Sequence, residues 1–363
     1  MKTSLFYKLF PPPVFLRMPS VGFDISDQSI RFVELIETHK GLVIGKYGYR
    51  SVVPGIIEGG EIKKAEELRE ILSSMHEEFK IDFANVSLPE QQAYLLNINI
   101  PPMKRSEIRG RLELQLEEYV PISMGDATFD YDIVNGLNKE RDHMELSLAV
   151  VPRKVAEGYA GVFEHTGITP IAFEIEAQAV ARAIIPHGDK GTYMIMDFGK
   201  TRTGISIVSE ETVVFTSTIN VGGLVLTKAI EKQFGISAEE AEKIKREQGF
   251  TKNKDTQEMF LTLMSTVSIL KDEINKHYVY WNTHLDQDGE KRPKIEKVLL
   301  CGGDSNLAGF TDYLLSGLKT EIELANAMVN VNTFNHYIPE IEFSDSLSYA
   351  TAIGLALRPS DQY

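Results

Sequence analysis

Two stretches of this chain follow the same plan, and that repetition limits the fold more than any other feature. Residues 21–50 read as strand, tight turn, strand, strand: VGFDI, SDQS, IRFVEL, then LVIGKYGYRSVV. In the second strand Phe32, Glu34 and Ile36 alternate with Val33 and Leu35, the period of two that marks a strand. Residues 191–219, GTYMIMDFGKTRTGISIVSEETVVFTSTI, begin the same sequence of elements again. A supersecondary unit that recurs predicts two similar domains with a cleft between them. The length of 363 residues agrees, since it exceeds one ordinary core.

Between the repeats the pattern changes. A helix over about 62–79 carries Leu68, Ile71, Leu72 and Met75 on one face. ANVSLP reads as a strand, and AYLLNINIPP as a strand closed by two prolines. MKRSEIRGRLELQLEEYVP reads as a helix with Ser106 as N-cap and Ile108, Leu112 and Leu116 as its apolar stripe. FDYDIV and MELSLAVVP are two more strands, followed by a helix from Arg153 that ends at Gly167. Strands pairing around two helices predict a small α+β insert over about 85–167. After the second repeat come a helix-rich stretch (about 224–280), a polar loop (286–294), the strand KVLLCGG, a helix from near Asn306 and the helix SYATAIGLAL.

Charge narrows the partners. With 38 basic and 52 acidic residues the chain carries a net −14, the wrong sign for nucleic acid as the main partner. The first twenty residues run the other way, with Lys2, Lys8 and Arg17 and no acid. Pro11–Pro13 stiffens that head. Two readings stay open for it: a plain tail, or a peripheral contact with an anionic membrane or a partner through Phe6, Leu9, Phe10, Phe15 and Leu16. The single cysteine, Cys301, allows no internal disulfide, and no apolar run reaches the roughly 18 residues of a membrane helix. Lys8 and the prolines spoil a signal peptide, so the expected location is the cytoplasm.

Three turns are candidates for chemistry. Each follows an apolar strand and is rich in Asp, Gly, Ser or Thr: Gly22–Ser29, Asp197–Gly204 and Cys301–Asn306. Such turns offer backbone N–H groups and hydroxyls to an anion. An Asp at a strand end holds Mg²⁺ through water, because that ion keeps much of its hydration shell. Any one turn alone is an ordinary hairpin; the three together, in this order, are harder to dismiss. His165, His187, His277 and His284 lack metal-ligand spacing. Trp281 reads as packing and Cys301 as a small buried group.

The order of these turns resembles the actin, Hsp70 and sugar-kinase fold: first phosphate loop, connecting helix, second phosphate loop, adenosine loop, second connecting helix. FEIEAQAVARAI (173–184) and SYATAIGLAL (348–357) resemble the two connecting helices. Their small residues, Ala177, Ala179, Ala181, Ala350, Ala352 and Gly354, suit a close crossing. The position of the insert resembles that in the cell-division protein FtsA and in PilM. VGFDISDQSIRFVEL and NIPPMKRSEIRGRLELQLEEYVPI resemble the PilM family of type IV pilus assembly specifically, with similarity over about 20–357.

The resemblance implies an α/β, actin-like (ribonuclease H-like) two-domain fold with an α+β insert subdomain in domain one. Its implied divisions are an N-terminal extension at 1–19, domain I at 20–187, domain II at 188–335 and a return to domain I at 336–363. It implies a cytoplasmic ATP-binding component of the pilus (or related type II secretion) inner-membrane platform, peripheral at the membrane through its partners. The implied partners are the N-terminal cytoplasmic segment of PilN and other platform proteins. Asp24, Ser26 and Gln28 would lie at the first phosphate loop, and Asp197, Gly199, Thr201 and Thr203 at the second, with Asp24 and Asp197 near Mg²⁺. Gly222 and Gly223 would sit near the phosphates, Glu242 and Lys245 at the ribose, and Gly302, Gly303 and Asp304 by the adenine. Glu174 or Glu176 would open the connecting helix as a water-orienting catalytic carboxylate. Two departures stand out. Ser26 occupies a position that is commonly Gly, and Asp304 replaces a third Gly; Arg31 is kept. Whether ATP is hydrolysed stays open, with any turnover expected far below about 1–10³ per second. The rivals are a filament-forming actin like FtsA and a small-molecule kinase of the same superfold.

Overall fold

A computed structural model describes residues 19–39, 41–135, 143–252, 256–285, 289–317, 320–332 and 337–358. The aromatic head, with its expected membrane or partner contact, lies outside them. The first repeat folds as β1 (Val21–Ile25), β2 (Ser29–Thr38) and β3 (Gly41–Ser51), each antiparallel to the next. A short hairpin of β4 (Ile57–Glu58) and β5 (Glu61–Ile62) leads into α1 (Ala65–Phe79), whose Leu68, Leu72 and Met75 are fully buried. Then β6 (Phe83–Leu88) runs parallel to β1.

The insert follows as β7 (Tyr94–Ile100), α2 (Arg105–Tyr119), β8 (Ala127–Asn135) and β9 (Met144–Pro152). Its three strands form a separate sheet in the order β7-β9-β8. The chain returns through α3 (Arg153–Gly161) to β10 (Thr169–Ile175), which pairs parallel with β6. The body sheet is therefore β10-β6-β1-β2-β3. After α4 (Glu176–Ile184) the second repeat gives β11 (Thr192–Phe198), β12 (Thr203–Ser209) and β13 (Thr212–Ile219). The helices α5 (Gly223–Phe234), α6 (Ala238–Gln248) and α7 (Gln257–Thr283) come next. The chain finishes through β14 (Lys297–Cys301), α8 (Phe310–Leu315), β15 (Glu321–Leu324), α9 (Phe343–Ser346) and α10 (Ala350–Ala356). The second sheet runs β13-β12-β11-β14-β15. Both sheets thus place a three-strand antiparallel meander beside two parallel strands in matching order, as the repeat predicts.

Three expectations need correction. The insert is narrower than 85–167. The strand ANVSLP is β6, inside the body sheet between β1 and β10, and α3 buries Tyr159 in the body core. Only Tyr94–Pro152 forms the separate unit. The physical reason is its own core, in which Ile108, Leu112 and Leu116 of α2 cover Ile98, Leu146 and Leu148 of the sheet. The second correction concerns the first connecting helix, which starts at Glu176 rather than 173, because Phe173–Ile175 complete the pairing of β10 with β6. Within α2 the N-cap position is Lys104, not Ser106, and Glu107 reaches back to the Lys104 N–H at 3.4 Å.

The two connecting helices cross as their small residues predict. A Cβ at Gly354 would lie 1.7 Å from the Ala179 carbonyl oxygen, and one at Gly22 would lie 1.8 Å from that of Ala352. Backbone here packs against backbone, leaving no flexible side chain to yield. Gly354→Val should therefore separate α4 from α10 and destabilise the chain by about 3 kcal/mol or more, the upper range of overpacking costs. Chemical denaturation measures it; a loss below about 1 kcal/mol would show that the crossing relaxes freely.

Candidate functional site

The ends of β1 and β11 face each other across the cleft. Asp24 is the last residue but one of β1, before Ile25, whose N–H donates to Ser87 Oγ at 2.9 Å, while that hydroxyl donates to Asp24 Oδ1 at 3.0 Å. Burial, with Glu176 close by, pushes the Asp24 carboxyl up to about 7. Burial and Glu176 likewise push Asp197 up to about 6, although Arg202 and Arg31 oppose the shift. In the first turn Ser26 Oγ donates to the Ser29 carbonyl at 3.0 Å, and Arg31 Nη1 donates to Ser29 Oγ at 2.5 Å. The serine that replaces a common glycine thus pins its own turn. The Gln28 carbonyl is spent on Val52 N–H at 2.9 Å.

The second turn is held by backbone: Gly199 N–H donates to the Arg202 carbonyl at 3.0 Å and Gly223 N–H to that of Gly199 at 3.0 Å. Gly222 is required there, since a Cβ would come within 2.6 Å of Arg202 N. Thr201 Oγ1 reaches Asp27 Oδ2 of the first turn at 3.3 Å. Arg202 Nη2 donates to both oxygens of Glu176, at 2.7 and 2.6 Å. Thr203 differs from its expectation: it is fully buried, and its hydroxyl donates to the Val221 carbonyl at 2.6 Å rather than opening to the cleft.

At the far side, Gly302 adopts φ +90°, and a Cβ there would collide with Asp197 Oδ1 at 2.3 Å. Asp304 faces Lys245, whose Nζ lies 2.6 Å from Asp304 Oδ1, 2.9 Å from Glu242 Oε2 and 3.2 Å from the Gly223 carbonyl. An ammonium has three N–H donors, so these three acceptors use all of them, and Lys245 is fully buried. The expected ribose contact through Lys245 is thereby corrected: its donors are committed within the protein. Burial would raise the Glu242 carboxyl, but Thr227 Oγ1 at 2.7 Å and the charges of Lys245 and Arg246 hold it down at about 2. Gly223 is tight against Asp304, whose carboxylate would meet its Cβ at 2.1 Å; Gly303 has room.

Glu174 is not in this cleft. It sits on β10, paired with Arg182 and with Arg358 Nη1 at 3.4 Å. Only Glu176 of the expected pair reaches the turns. Sequence reading also missed Ser87 and Glu90, and gave no role to Asp27 and Arg202 although both lie within its candidate turns. Glu90, directly after β6, is buried with its carboxyl raised by burial and by Glu176, and its Oε1 has no hydrogen-bond partner among the described residues. The only sequence signal for these residues was their position beside a strand end or turn. For Mg²⁺, no group of three or more His, Cys, Asp or Glu side chains suited to holding a metal directly occurs among the described residues. Two carboxylates at facing strand ends, both raised by burial and by Glu176, fit a hydrated ion held through water.

A second concavity, of about 2150 Å³, lies between the insert and the body. Its walls come from β7, β8 and β9, from β10 and α4, and from β13. Asn97, Ser147 and Asp132, aligned across the insert sheet, turn toward it, while Phe173 and Phe215 supply apolar surface. β7, β10 and β13 are all edge strands. The apolar stripe of α2 packs on the other face of the insert sheet, in its core, and lines none of this groove.

The sequence profile of the family described as type IV pilus assembly protein PilM matches residues 22–360. Among solved structures, the chain is similar to the PilM-PilN type IV pilus biogenesis complex, with a TM-score of 0.79 at 18% identity, covering 94% of this chain and 98% of that one. It also resembles MreB 5 of Spiroplasma citri bound to AMPPNP, with a TM-score of 0.54 at 14% identity, covering 94% and 95%. The ethanolamine utilization protein EutJ from Carboxydothermus hydrogenoformans matches with a TM-score of 0.52 at 16% identity, covering 94% and 92%. At these identities the likeness is one of fold: the actin-like ATPase architecture expected from the sequence.

The raised carboxyls set a pH dependence. An acid whose folded pKa exceeds its unfolded value binds more protons when folded, so its contribution to stability is present at low pH and lost as pH rises. For Asp24 the loss runs from near pH 4 to about 7, and for Asp197 to about 6. Asp24→Asn should therefore stabilise the ligand-free chain at pH 8 by on the order of 1 kcal/mol or more, with little gain at pH 4. Urea denaturation at both pH values checks the difference; equal effects at both would refute the assignment.

Proposed function

The chain belongs to the type IV pilus assembly protein PilM family, and from that premise we propose that it is an ATP-binding, actin-like component on the cytoplasmic face of the pilus inner-membrane platform. The observation that carries the nucleotide half is the pair of strand ends at Asp24 and Asp197, which face each other with the glycines Gly222 and Gly302 packed against backbone beside them. In this reading the N–H groups of Lys200 and Thr201 and of Asp27 and Gln28 donate to phosphate oxygens, and Gly302 and Gly303 border the base. Asp24 and Asp197 hold hydrated Mg²⁺, which would neutralise phosphate charge when bound. Glu176, once free of Arg202, orients water; while paired, it favours slow turnover or none. That the MreB 5 relative is bound to AMPPNP is consistent with this reading.

The partner half rests on the groove. An extended peptide can add main-chain hydrogen bonds to an exposed strand edge, with side-chain pockets giving choice. The groove is bordered by edge strands, and the related complex pairs PilM with PilN. The proposed occupant is therefore the N-terminal cytoplasmic segment of a PilN-like protein. That arrangement makes this chain peripheral at the membrane, and among the described residues no helix is long and apolar enough to cross one.

Mg·ATP at about a hundred times its Kd should stabilise the folded chain by about 2.7 kcal/mol, a melting shift of several degrees. Asp197→Ala should remove most of that shift. No shift in the unmutated chain at millimolar Mg·ATP would end the nucleotide reading. Replacing Tyr94–Pro152 with a short linker should abolish capture of the PilN-like peptide while the Mg·ATP shift survives. Body strand β6 and helix α3 remain in this variant, so it keeps the core that a deletion of 85–167 would break. Full-affinity capture by the folded truncation, measured by fluorescence anisotropy, would place the peptide elsewhere.

A further inference from the structure

Arg202 joins the two halves of the molecule between the first and second turns. It belongs to the second turn, yet both its partners belong to the first domain. Glu176 is the first residue of α4, and Asp27 lies between β1 and β2, with Asp27 Oδ1 3.9 Å from Arg202 Nη1. Both partners are fixed from behind. Asp27 Oδ1 accepts the Gly60 N–H at 2.9 Å, and Glu176 Oε2 accepts the Glu90 N–H at 3.3 Å. The guanidinium therefore docks onto a preformed acidic seat, and Thr201 adds its hydroxyl to the same Asp27.

The charge around it is unbalanced. Asp24, Asp27, Glu90, Glu176 and Asp197 are five carboxyls, and Arg31 and Arg202 are the cations among them. An arginine in such a setting is held firmly, and its planar fork also matches phosphate oxygens in a bidentate fashion. The contrast with Lys245 is instructive. That cation is sealed off with every donor used, whereas Arg202 is held between the carboxylates of Glu176 and Asp27 with its side chain still 14% exposed.

We infer that Arg202 is an interdomain latch and a phosphate ligand: bound to Glu176 it holds the cleft shut, and a phosphate-bearing ligand takes the guanidinium from Glu176. The exchange frees the Glu176 carboxylate and opens the seat at the moment the site fills. The latch needs no ligand and stands on the geometry; the exchange rests on the nucleotide reading proposed above.

The test uses the full chain as Arg202→Gln, as Glu176→Gln and as the double variant. Without ligand, amide hydrogen exchange is followed in segments 24–29, 176–180 and 199–204, with the strands of the two sheets as internal controls. A latch predicts that each single variant speeds exchange in these segments about tenfold or more, as loss of a charge-assisted hydrogen bond implies. The double variant should add nothing further, because the pair is already broken. Unchanged exchange in the single variants, additive effects, or equal acceleration in the strands would overturn the latch. Mg·ATP titration follows. Arg202→Gln should bind about tenfold or more weakly, while Glu176→Gln binds at least as well as the unmutated chain, having lost the competitor. Equal affinity of Arg202→Gln and unmutated chain overturns the exchange. If the unmutated chain binds no Mg·ATP, the nucleotide reading and the exchange fall together, and the ligand-free exchange data still decide the latch.

Discussion

The close crossing of α4 and α10 is the constraint on which the rest of the structure depends. At Gly354 and at Gly22 the space for even one carbon is filled by a carbonyl oxygen of the neighbouring segment. Two helices and a central strand are thereby pressed together at the base of the cleft. Close packing transmits position accurately, because interiors leave little room for adjustment. The consequence reaches the chemistry directly. α4 begins at Glu176, so the depth at which it crosses α10 sets where that carboxylate meets the turns of both domains. Gly302 extends the same logic, since its N–H donates to the Leu347 carbonyl at 3.0 Å just before α10. The third turn and the second connecting helix are thus fastened to each other.

Around this base the cleft is built short of positive charge. Buried carboxylates are costly unless paired, and those that lack a partner shift toward the neutral form. Asp24, Asp197 and Glu90 all shift in that direction. In each the largest cause is burial and the next is the Glu176 carboxylate. The second cluster, of Lys245, Asp304 and Glu242, behaves differently. Its charges satisfy one another within the protein, so it fixes α6 and the third turn against α5 and leaves its lysine nothing to offer a ligand.

The insert is a unit with its own core attached at both ends to the body, between β6 and α3. Its sheet has two unlike faces. One is covered by α2, and the other turns Asn97, Ser147 and Asp132 to the groove. The groove and the cleft approach each other at Glu90, which borders the groove and whose backbone N–H is bonded to Glu176.

Local pattern was enough to read the two-domain plan. Period-two strands repeated at 21–50 and 191–219, Asp residues at strand ends and alanine-rich helices with Gly354 each reflect a need that a short segment carries in itself. Asp24, Asp197 and the glycines at 222, 223 and 302 were therefore legible as strand-end and turn residues, and Glu176 only as one of a pair with Glu174. Other assignments depended on partners far away in sequence. Arg202 meets Glu176 and Asp27, Lys245 meets Asp304, and Glu174 meets Arg358, across separations that no local period records. Whether Thr203 points to the cleft or to Val221, and whether NVSLP joins the insert or the body, turned on which strand lay alongside. The sequence by itself determined the elements, their order and the residues that permit close approach, because sterics and hydrophobic periodicity act within a few residues. Only the tertiary structure decided which charged and hydroxyl groups remained available at the site, because a hydrogen bond is settled by whichever acceptor the folded chain brings within about 3 Å.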